Sequence, residues 1–410
     1  MPEFRPFRGI RYVTDDLDAV TAPPYDVIDP PERDALLARD PHNSVQLILP
    51  SADGDDPDGY ARAAATIDAW IAEGTLARDD VPAFYAYRMT FVDDTGAPRH
   101  TAGVLGGLVL PPAAGEGDVL PHERTLPKAK SDRLALLRAT RVNLDPIWGL
   151  TPATGLAAVA DRALPLAKTV DETGVTHELG AITDAADIAA VQAAVASGPV
   201  VLADGHHRFE TAINYRNERR DAGAGSAGDE AVMCLMVELS DDQLWVQPIH
   251  RLLHGVTSAT RLRLDLGTRC RILEASANTP DAVTALTAKL RTEGGVGLVD
   301  AEGIARLVPD GEALEAARAG LEPVLADVAS AWFEVVAADA VAPYDVTYRH
   351  DAAAIAAMVA AGTLDAAILL PAVTVPQIRA AADARVRMPQ KTTFFAPKPR
   401  TGLVFRSLDE

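Results

Sequence analysis

Residues 199–219 read Pro199-Val-Val-Leu-Ala-Asp204-Gly205-His206-His207-Arg208-Phe209-Glu210-Thr-Ala-Ile-Asn-Tyr-Arg-Asn-Glu-Arg219. The short apolar run after Pro199 predicts a buried strand. From Phe209 onward, apolar residues recur at helical spacing with charged residues between them, which predicts a helix. Asp204 is a suitable N-cap for that helix, and Gly205 permits an unusual backbone conformation. The stretch therefore predicts a strand, a glycine turn and a helix in succession.

The start of this helix has the features of an anion site. Its first turn presents backbone N–H groups and the positive end of the helix dipole. His206, His207 and Arg208 add polar and cationic side chains. Turn chemistry alone explains an Asp-Gly pair, and histidines are common on surfaces that have no special role. Together, however, these neighbouring residues favour a phosphate or carboxylate site.

The whole chain is acidic and has an ordinary globular composition. It has 410 residues, a formal net charge of −20, 48% hydrophobic and 23% charged residues, and two cysteines. The length is enough for two or three cores. A negative chain is a poor partner for nucleic acid, and no apolar run approaches the roughly 18 to 20 residues of a membrane span. We therefore expect a cytoplasmic protein that binds neither nucleic acid nor membrane and has no disulfide framework.

Hydrophobic periodicity predicts further elements along the chain. Residues 43–49 resemble a strand, and residues 60–76 an amphipathic helix ending at Gly74. Residues 83–92 and 101–110 are predicted to form a hairpin. Residues 151–168 are rich in alanine and are predicted to be helical. The expected fold class is α+β, with mixed sheets and packed helices.

A second group of chemically active residue types precedes a predicted helix near residue 134. It contains His122, Glu123, Arg124 and Lys128. His122 is an acid/base candidate, Glu123 is a carboxylate, and Arg124 is a cation. A run of charges is most often a solvated face, and this alternative applies most strongly to the two lysines, Lys128 and Lys130.

Changes in composition suggest three parts. Residues 1–256 are expected to form a core domain that carries both motifs, and residues 257–384 a second α+β domain. Residues 385–410 combine cations with prolines and phenylalanines. We expect this tail to pack back on the core and to bring Lys391 and Lys398 toward a site.

Five motifs resemble a bacterial and archaeal family known as domain of unknown function 1015. They are Pro6-Phe7-Arg8-Gly9, Pro23-Pro24-Tyr25-Asp26-Val27, His122-Glu123-Arg124-Thr125, Asp204-Gly205-His206-His207-Arg208 and Met388-Pro389-Gln390-Lys391. They extend over nearly the whole chain. Thr392 departs from the family pattern, in which serine is expected, although both residues carry a hydroxyl.

The Asp-Gly-His-His-Arg turn also resembles the core motif of the ParB and sulfiredoxin-like superfamily. This resemblance implies a strand–turn–helix core plus a second α/β domain, with nucleotide phosphates held at the helix start. The superfamily includes nucleotide-binding partition proteins, sulfiredoxin and kinases of free serine. Histidines occupy the turn in which sulfiredoxin has its catalytic cysteine, which excludes sulfinic-acid chemistry.

The resemblance implies a nucleotide-dependent phosphotransferase acting on a small hydroxylated metabolite, with a free-serine kinase of serine metabolism as the example. Phosphoryl transfer depends mainly on positioning and positive charge. The cofactor-binding candidates are Asp204, Gly205, His206, His207, Arg208, Arg124, Lys128 and Lys391. The catalytic candidates are Glu123, His122, His207 and Glu210, with Glu123 or Glu210 accepting the proton of the substrate hydroxyl.

The expected cofactors are ATP or ADP together with Mg²⁺, for which Asp204 and Glu123 are the candidate ligands. The expected partners are a nucleotide and a small-molecule substrate, and a homodimer is a possible assembly. We also expect residues 122–124 and 204–208 to share one pocket.

Two alternatives belong to other functional classes. The first is a metal-dependent phosphatase or hydrolase whose ligands are His122, Glu123, Asp204, His206 and His207. The divergent side chains of adjacent histidines count against it. The second is a nucleotide- or metabolite-binding module without turnover.

Overall fold

The computed structural model describes residues 1–51, 56–123 and 130–409. The described chain forms two compact units. Unit 1 comprises residues 1–121, 130–245 and 397–409, and unit 2 comprises residues 122–123 and 246–396. The division predicted at residues 256 and 384 remains a prediction about domains, because compactness alone does not identify segments that fold independently.

The strands are β1 (Phe4–Arg5), β2 (Gly9–Tyr12), β3 (Leu76–Arg78), β4 (Phe84–Val92), β5 (Pro98–Val109), β6 (Val119–Pro121), β7 (Val142–Asn143), β8 (Ile147–Thr151), β9 (Leu164–Val170), β10 (Thr176–Ile182), β11 (Val200–Asp204), β12 (Ala231–Glu238), β13 (Trp245–Pro248), β14 (His250–His254), β15 (Cys270–Ser276), β16 (Val296–Asp300), β17 (Gly303–Pro309), β18 (Asp345–Arg349), β19 (Ala366–Leu369), β20 (Thr393–Ala396) and β21 (Phe405–Ser407).

The helices are α1 (Leu17–Val20), α2 (Pro30–Arg39), α3 (Val45–Ile48), α4 (Pro57–Glu73), α5 (Lys130–Thr140), α6 (Leu156–Arg162), α7 (Ala185–Ala196), α8 (His206–Asp221), α9 (Ala259–Leu266), α10 (Pro280–Glu293), α11 (Gly311–Ala319), α12 (Ala329–Val336), α13 (Ala338–Val341), α14 (Ala352–Ala360) and α15 (Val375–Asp383). Within the described ranges, none of these helices is both long and apolar enough to cross a bilayer.

Unit 1 is built on a nine-stranded mixed sheet. Its order is β6-β11-β8-β12-β5-β4-β10-β9, and β1 also pairs with β5. Strand β11 runs parallel to β6 but antiparallel to β8, whereas β12 runs parallel to β8 and antiparallel to β5. A smaller sheet, β3-β2-β21-β7, ties the C-terminal strand into the same unit. This combination of mixed sheets and helices confirms the predicted α+β class.

Several predicted elements of unit 1 are confirmed. Strands β4 and β5 form the predicted hairpin, with Tyr85 opposite Leu105. Helix α4 ends at Gly74, whose φ of 86° is left-handed, as expected of a glycine that terminates a helix.

Two predicted elements are wrong. Residues 43–49 contain helix α3 instead of a strand. The Asn43 side chain accepts a hydrogen bond from the Val45 amide at 2.9 Å and donates to the Ala19 carbonyl at 2.7 Å, which stabilises a turn there. Residues 151–168 contain only the short helix α6. Strand β9 follows it, because pairing with β10 along the sheet outweighs the local preference of these residues for helix.

Unit 2 is built on a six-stranded antiparallel sheet with the order β15-β17-β16-β19-β14-β18. Apolar side chains on its two faces belong to two separate cores. Leu298 of β16 packs in the core that contains α9, α12 and α13, whereas its neighbour Val299 packs with α10 and α14. This alternation is the two-residue period of a strand covered by helices on both faces.

Candidate functional site

The strand, turn and helix predicted within residues 199–219 are present as β11, Gly205 and α8. Gly205 is left-handed, with a φ of 81°, and an added Cβ would lie 2.9 Å from Ile147. Glycine alone satisfies both constraints. Gly205 is also the N-cap residue, and as a glycine it has no side chain with which to cap the helix. The prediction that Asp204 caps α8 is therefore wrong, because Asp204 is the last residue of β11.

The Asp204 carboxylate contacts two cations. Lys398 Nζ lies 3.1 Å from Asp204 Oδ2, and Arg208 Nη2 lies 3.5 Å from the same oxygen. Burial alone would raise the pKa of Asp204, but the charges of Lys398 and Arg208 outweigh burial and hold this pKa well below its usual range. Asp204 is therefore an anion at every physiological pH.

Arg208 connects this carboxylate to the loop before β8. Its Nη1 donates to the carbonyl oxygen of Pro146 at 2.5 Å, and its side chain is 13% exposed. The guanidinium carbon lies 6.0 Å from the ring centre of Tyr25, and that of Arg133 lies 4.3 Å from the same ring. Arg208 is thus held in a fixed position at the start of α8.

A cavity of about 60 Å³ lies beside Arg208, and Tyr25, Arg133, Asp145 and Thr211 also contribute to its lining. The hydroxyl of Thr401 donates to the buried carboxyl of Asp145. Burial raises the pKa of Asp145, against the opposing charges of Arg208 and Arg133. Two carboxyl groups near one arginine therefore have pKa values shifted in opposite directions.

Three residues of this region were missed or undervalued by the sequence analysis: Tyr25, Arg133 and Asp145. Tyr25 belongs to a matched motif, but the rigid segment after the paired prolines fits a packed corner as well as a site wall, and the corner was favoured. Arg133 looked like part of a solvated charge run. For Asp145 the one available signal was its position directly before Pro146, within a strand predicted over residues 143–150, where a buried carboxyl is unusual.

The other predicted residues of α8 lie in its first turns. His206, His207 and Glu210 are all partly exposed. Glu210 follows His206 by four residues, so the two side chains share one face of the helix. The described geometry thus places Asp204, Gly205, His206, His207, Arg208 and Glu210 in one region of unit 1, together with Lys398.

A second cluster lies in unit 2 and surrounds Glu123. Glu123 Oε2 accepts from the Lys391 amide at 2.9 Å, and Oε1 accepts from the amides of Thr392 and Thr393 at 3.0 and 2.8 Å. The Thr393 hydroxyl donates to Oε1 at 2.9 Å. His122 Nε2 lies 2.6 Å from Thr393 Oγ1. The predicted residues His122, Glu123 and Lys391 are therefore brought together here.

Arg124 and Lys128, which were predicted to bind the cofactor, lie outside the described residues. Because the Asp204 and Glu123 clusters belong to different units, the expectation that they share one pocket remains a prediction. In the part of the chain that the structure describes, no group of three or more His, Cys, Asp or Glu side chains is arranged to hold a metal ion.

A family model described as "Protein of unknown function (DUF1015)" matches residues 4–313. A search of curated proteins found no match. Similar solved structures include a conserved hypothetical protein from Pyrococcus furiosus, with 12% identity and a TM-score of 0.36, covering 71% of this chain and 93% of that one.

Two further similar structures have 13% identity and a TM-score of 0.35. One is a free serine kinase in complex with AMP, covering 70% of this chain and 89% of that one. The other is SbnI from Staphylococcus aureus with a C-terminal truncation, covering 72% and 86%. TM-scores below 0.5 do not establish a shared fold, so the fold assignment rests on the topology of this chain.

Proposed function

The chain belongs to the DUF1015 family, and we propose that it is a nucleotide-dependent phosphotransferase acting on a small hydroxylated metabolite, free serine being the example. The observation that carries the proposal is the pair Asp145 and Asp204, whose pKa values are shifted in opposite directions near Arg208. Such a pair separates a group that can accept a proton from one that stays ionised.

We assign the nucleotide phosphates to the start of α8. The dipole and first N–H groups of a helix favour an anion, and the first turn of α8 contains no acidic residue. Arg208 and Lys398 supply positive charge, and Arg208 offers the planar geometry that suits phosphate oxygens. His206 and His207 are the neighbouring donors. Roles for Arg124, Lys128 and Lys391 remain predictions from the sequence.

In the proposed reaction, the substrate hydroxyl oxygen attacks the terminal phosphorus of the nucleotide. The bond from that phosphorus to its bridging oxygen breaks, so the nucleotide leaves with one phosphate fewer. The hydroxyl proton passes to a carboxylate. Asp145 suits this role because a raised pKa improves a general base, and its cavity of about 60 Å³ admits a group the size of a hydroxymethyl. Glu123 and Glu210 remain the alternatives from the sequence.

The residues present fit a Mg²⁺ ion that arrives with the nucleotide. Proteins often bind Mg²⁺ through one or two carboxylates together with the phosphates of the substrate. Lys398 and Arg208 contact Oδ2 of Asp204, so we assign Oδ1 to the ion. When bound, the ion would neutralise phosphate charge. Glu123 is the poorer ligand, because both of its carboxylate oxygens accept backbone hydrogen bonds.

The test is an assay of nucleotide consumption with ATP and with ADP over a panel of hydroxylated amino acids. Asp145→Asn should lower kcat by a factor of about 100 or more, the usual contribution of a general base, and leave nucleotide affinity unchanged. Asp187→Asn is the matched control, because Asp187 forms a surface pair with Arg162. Full activity of Asp145→Asn would reject Asp145 as the base.

The same assay separates the alternatives. Nucleotide binding without turnover of any compound would support a non-catalytic module. Release of phosphate from a phosphomonoester that depends on added metal and needs no nucleotide would support the hydrolase.

A further inference from the structure

The backbone of residues 391–393 forms a concave group of donors in unit 2. Lys391 has a left-handed φ of 55°. The amides of Lys391, Thr392 and Thr393 all donate to the Glu123 carboxylate, at distances from 2.8 to 3.0 Å. Successive N–H groups that converge after a left-handed residue form an anion-binding nest. We call residues 391–393 the nest.

Two side chains complete the nest. The Thr393 hydroxyl donates to Glu123 Oε1 at 2.9 Å, and His122 Nε2 lies 3.2 Å from the same oxygen. The His122 side chain is only 4% exposed, so its ring is directed into the cluster from a buried position. Lys391 is exposed and carries a positive charge. These donors match an anion that has two or three oxygens, such as a carboxylate or a phosphate.

Contacts other than those with Glu123 also support the shape of the nest. Arg251 Nη1 donates to the Lys391 carbonyl at 2.7 Å, and the Thr392 hydroxyl donates to the Pro389 carbonyl at 2.7 Å. The Met388 amide donates to the His122 carbonyl at 2.8 Å. Because these bonds fix the loop from behind, the donors remain oriented when a different anion replaces the Glu123 carboxylate.

We propose that the nest is a binding site for the carboxylate or phosphate group of a small metabolite, and that Glu123 is the chain's own competing anion. Rotation of the Glu123 side chain exposes the nest donors to the ligand. This site goes beyond the phosphotransferase proposed above, which rests on residues of unit 1. Competition by a tethered carboxylate lowers the apparent affinity, so only an anion that also gains contacts with Lys391 displaces it efficiently.

Calorimetric titration with inorganic phosphate and, separately, with acetate tests this proposal. Glu123→Ala removes the competitor, so it should bind the preferred anion about tenfold more tightly than the wild type, which corresponds to one hydrogen-bonded charge. Glu334→Ala is the matched control. It removes the same charge from a residue that accepts from Arg251 at 3.1 Å behind the same loop, whereas the nest amides donate to Glu123.

Wild-type binding of one of these anions, with the gain confined to Glu123→Ala, is the expected result. The stronger of the two ligands identifies the preferred group. Absence of binding to the wild type, an unchanged affinity in Glu123→Ala, or an equal gain in Glu334→Ala would each overturn the proposal.

A conservative variant covers the case in which Glu123→Ala does not fold. Glu123→Gln keeps the side-chain size but offers one acceptor oxygen, so it should give a smaller gain in anion affinity than Glu123→Ala. Failure of this proposal is distinguishable from failure of the phosphotransferase, because Arg208→Ala should weaken nucleotide binding and leave phosphate binding at the nest unchanged.

Discussion

The turns at Gly205 and at Lys391 both contain a residue in the left-handed region, and they meet that requirement differently. In unit 1 the residue is Gly205, where Ile147 leaves no space for a Cβ. In unit 2 it is Lys391, where a non-glycine residue adopts a φ of 55° next to the Glu123 carboxylate. Steric exclusion imposes glycine in the first turn, whereas hydrogen bonds to an anion stabilise an unfavourable backbone in the second.

The carboxylates at the two turns also differ in what neutralises them. Asp204 is held by the side-chain charges of Lys398 and Arg208, whereas Glu123 is held by backbone N–H groups. Lys398 and Arg208 carry full positive charges, so the Asp204 turn suits a phosphate group that carries more than one negative charge. Backbone donors are fixed, so the nest suits recognition of one group.

The largest expected effect is that of Gly205→Ala. A left-handed alanine costs about 1–2 kcal/mol, and the contact with Ile147 adds about 1–3 kcal/mol of overpacking. Urea denaturation should therefore show a loss of about 2–5 kcal/mol. The matched control is Gly174→Ala, at a φ of 84° with no atom within 4 Å of the added Cβ, which should lose only about 1–2 kcal/mol. Equal losses of stability in the two variants would show that Ile147 moves away from the added Cβ without a measurable cost.

Substitution of Arg208 has the next largest expected effect, on nucleotide affinity. Arg208→Ala should weaken binding by about 1.5–3 kcal/mol, as for a hydrogen bond to a charged group. Arg208→Lys should be intermediate, because it keeps the charge and loses the planar fork. Calorimetric titration with ATP and ADP, together with Tm, measures both effects.

The control for this series is Arg138→Ala, which removes an exposed pair with Glu218 and should cost about 0–1 kcal/mol of stability with no loss of affinity. Unchanged nucleotide affinity in a folded Arg208→Ala protein would show that the nucleotide phosphates do not bind at this turn.

The turns at Gly205 and Lys391 differ in how far the sequence alone predicts them. The glycine, the apolar run before it and the helical spacing after it were enough to predict the first turn. The nest at Lys391 was not predictable, because lysine gives no sign of a left-handed backbone. Its donors converge on Glu123, more than 260 residues away in sequence. Asp145 was missed for the same reason, since its raised pKa arises from burial among residues of distant segments.

Secondary structure shows the same limit. The hairpin of β4 and β5 has a strong local pattern and was predicted correctly. Strand β9 has a helix-like composition, and its pairing with β10 depends on the assembled sheet. Local patterns therefore predict an element whose own sequence favours the observed conformation. They fail where pairing with another segment determines the conformation.

Acid should destabilise the two units over different pH ranges. In unit 2, His250 accepts a hydrogen bond from the Leu370 amide at Nδ1, at 3.0 Å. Burial, reinforced by the charges of Arg251 and His350, lowers the pKa of His250 to about 3. The folded state keeps this ring neutral while the unfolded state takes up a proton below pH 6.5. The stability that neutral His250 contributes is therefore complete above pH 6.5 and is lost as the pH falls toward 3.

At pH 5 the loss from His250 should be about 2 kcal/mol, because each pH unit below 6.5 removes about 1.4 kcal/mol. Hydrogen exchange of peptides from β14 and β19, compared at pH 7.5 and pH 5 after correction for intrinsic rates, measures this effect. His250→Gln keeps an acceptor without titrating and should abolish the difference. In unit 1, the depressed pKa of Asp204 places its loss of stability only below about pH 4.

The smallest expected effect tests the strain at Lys391. A left-handed non-glycine residue costs about 1–2 kcal/mol, and the greater entropy of glycine in the unfolded chain offsets about 0.5–1 kcal/mol of this. Lys391→Gly should therefore stabilise unit 2 by about 0.5–1 kcal/mol, whereas Lys391→Ala, which keeps the Cβ and loses the same exposed charge, should change stability little. The amide that donates to Glu123 is retained in both variants. Hydrogen exchange of peptides from β20 compares them directly. If the glycine variant is no more stable than the alanine variant, the left-handed turn is not strained, and anion binding need not hold residue 391 in that conformation.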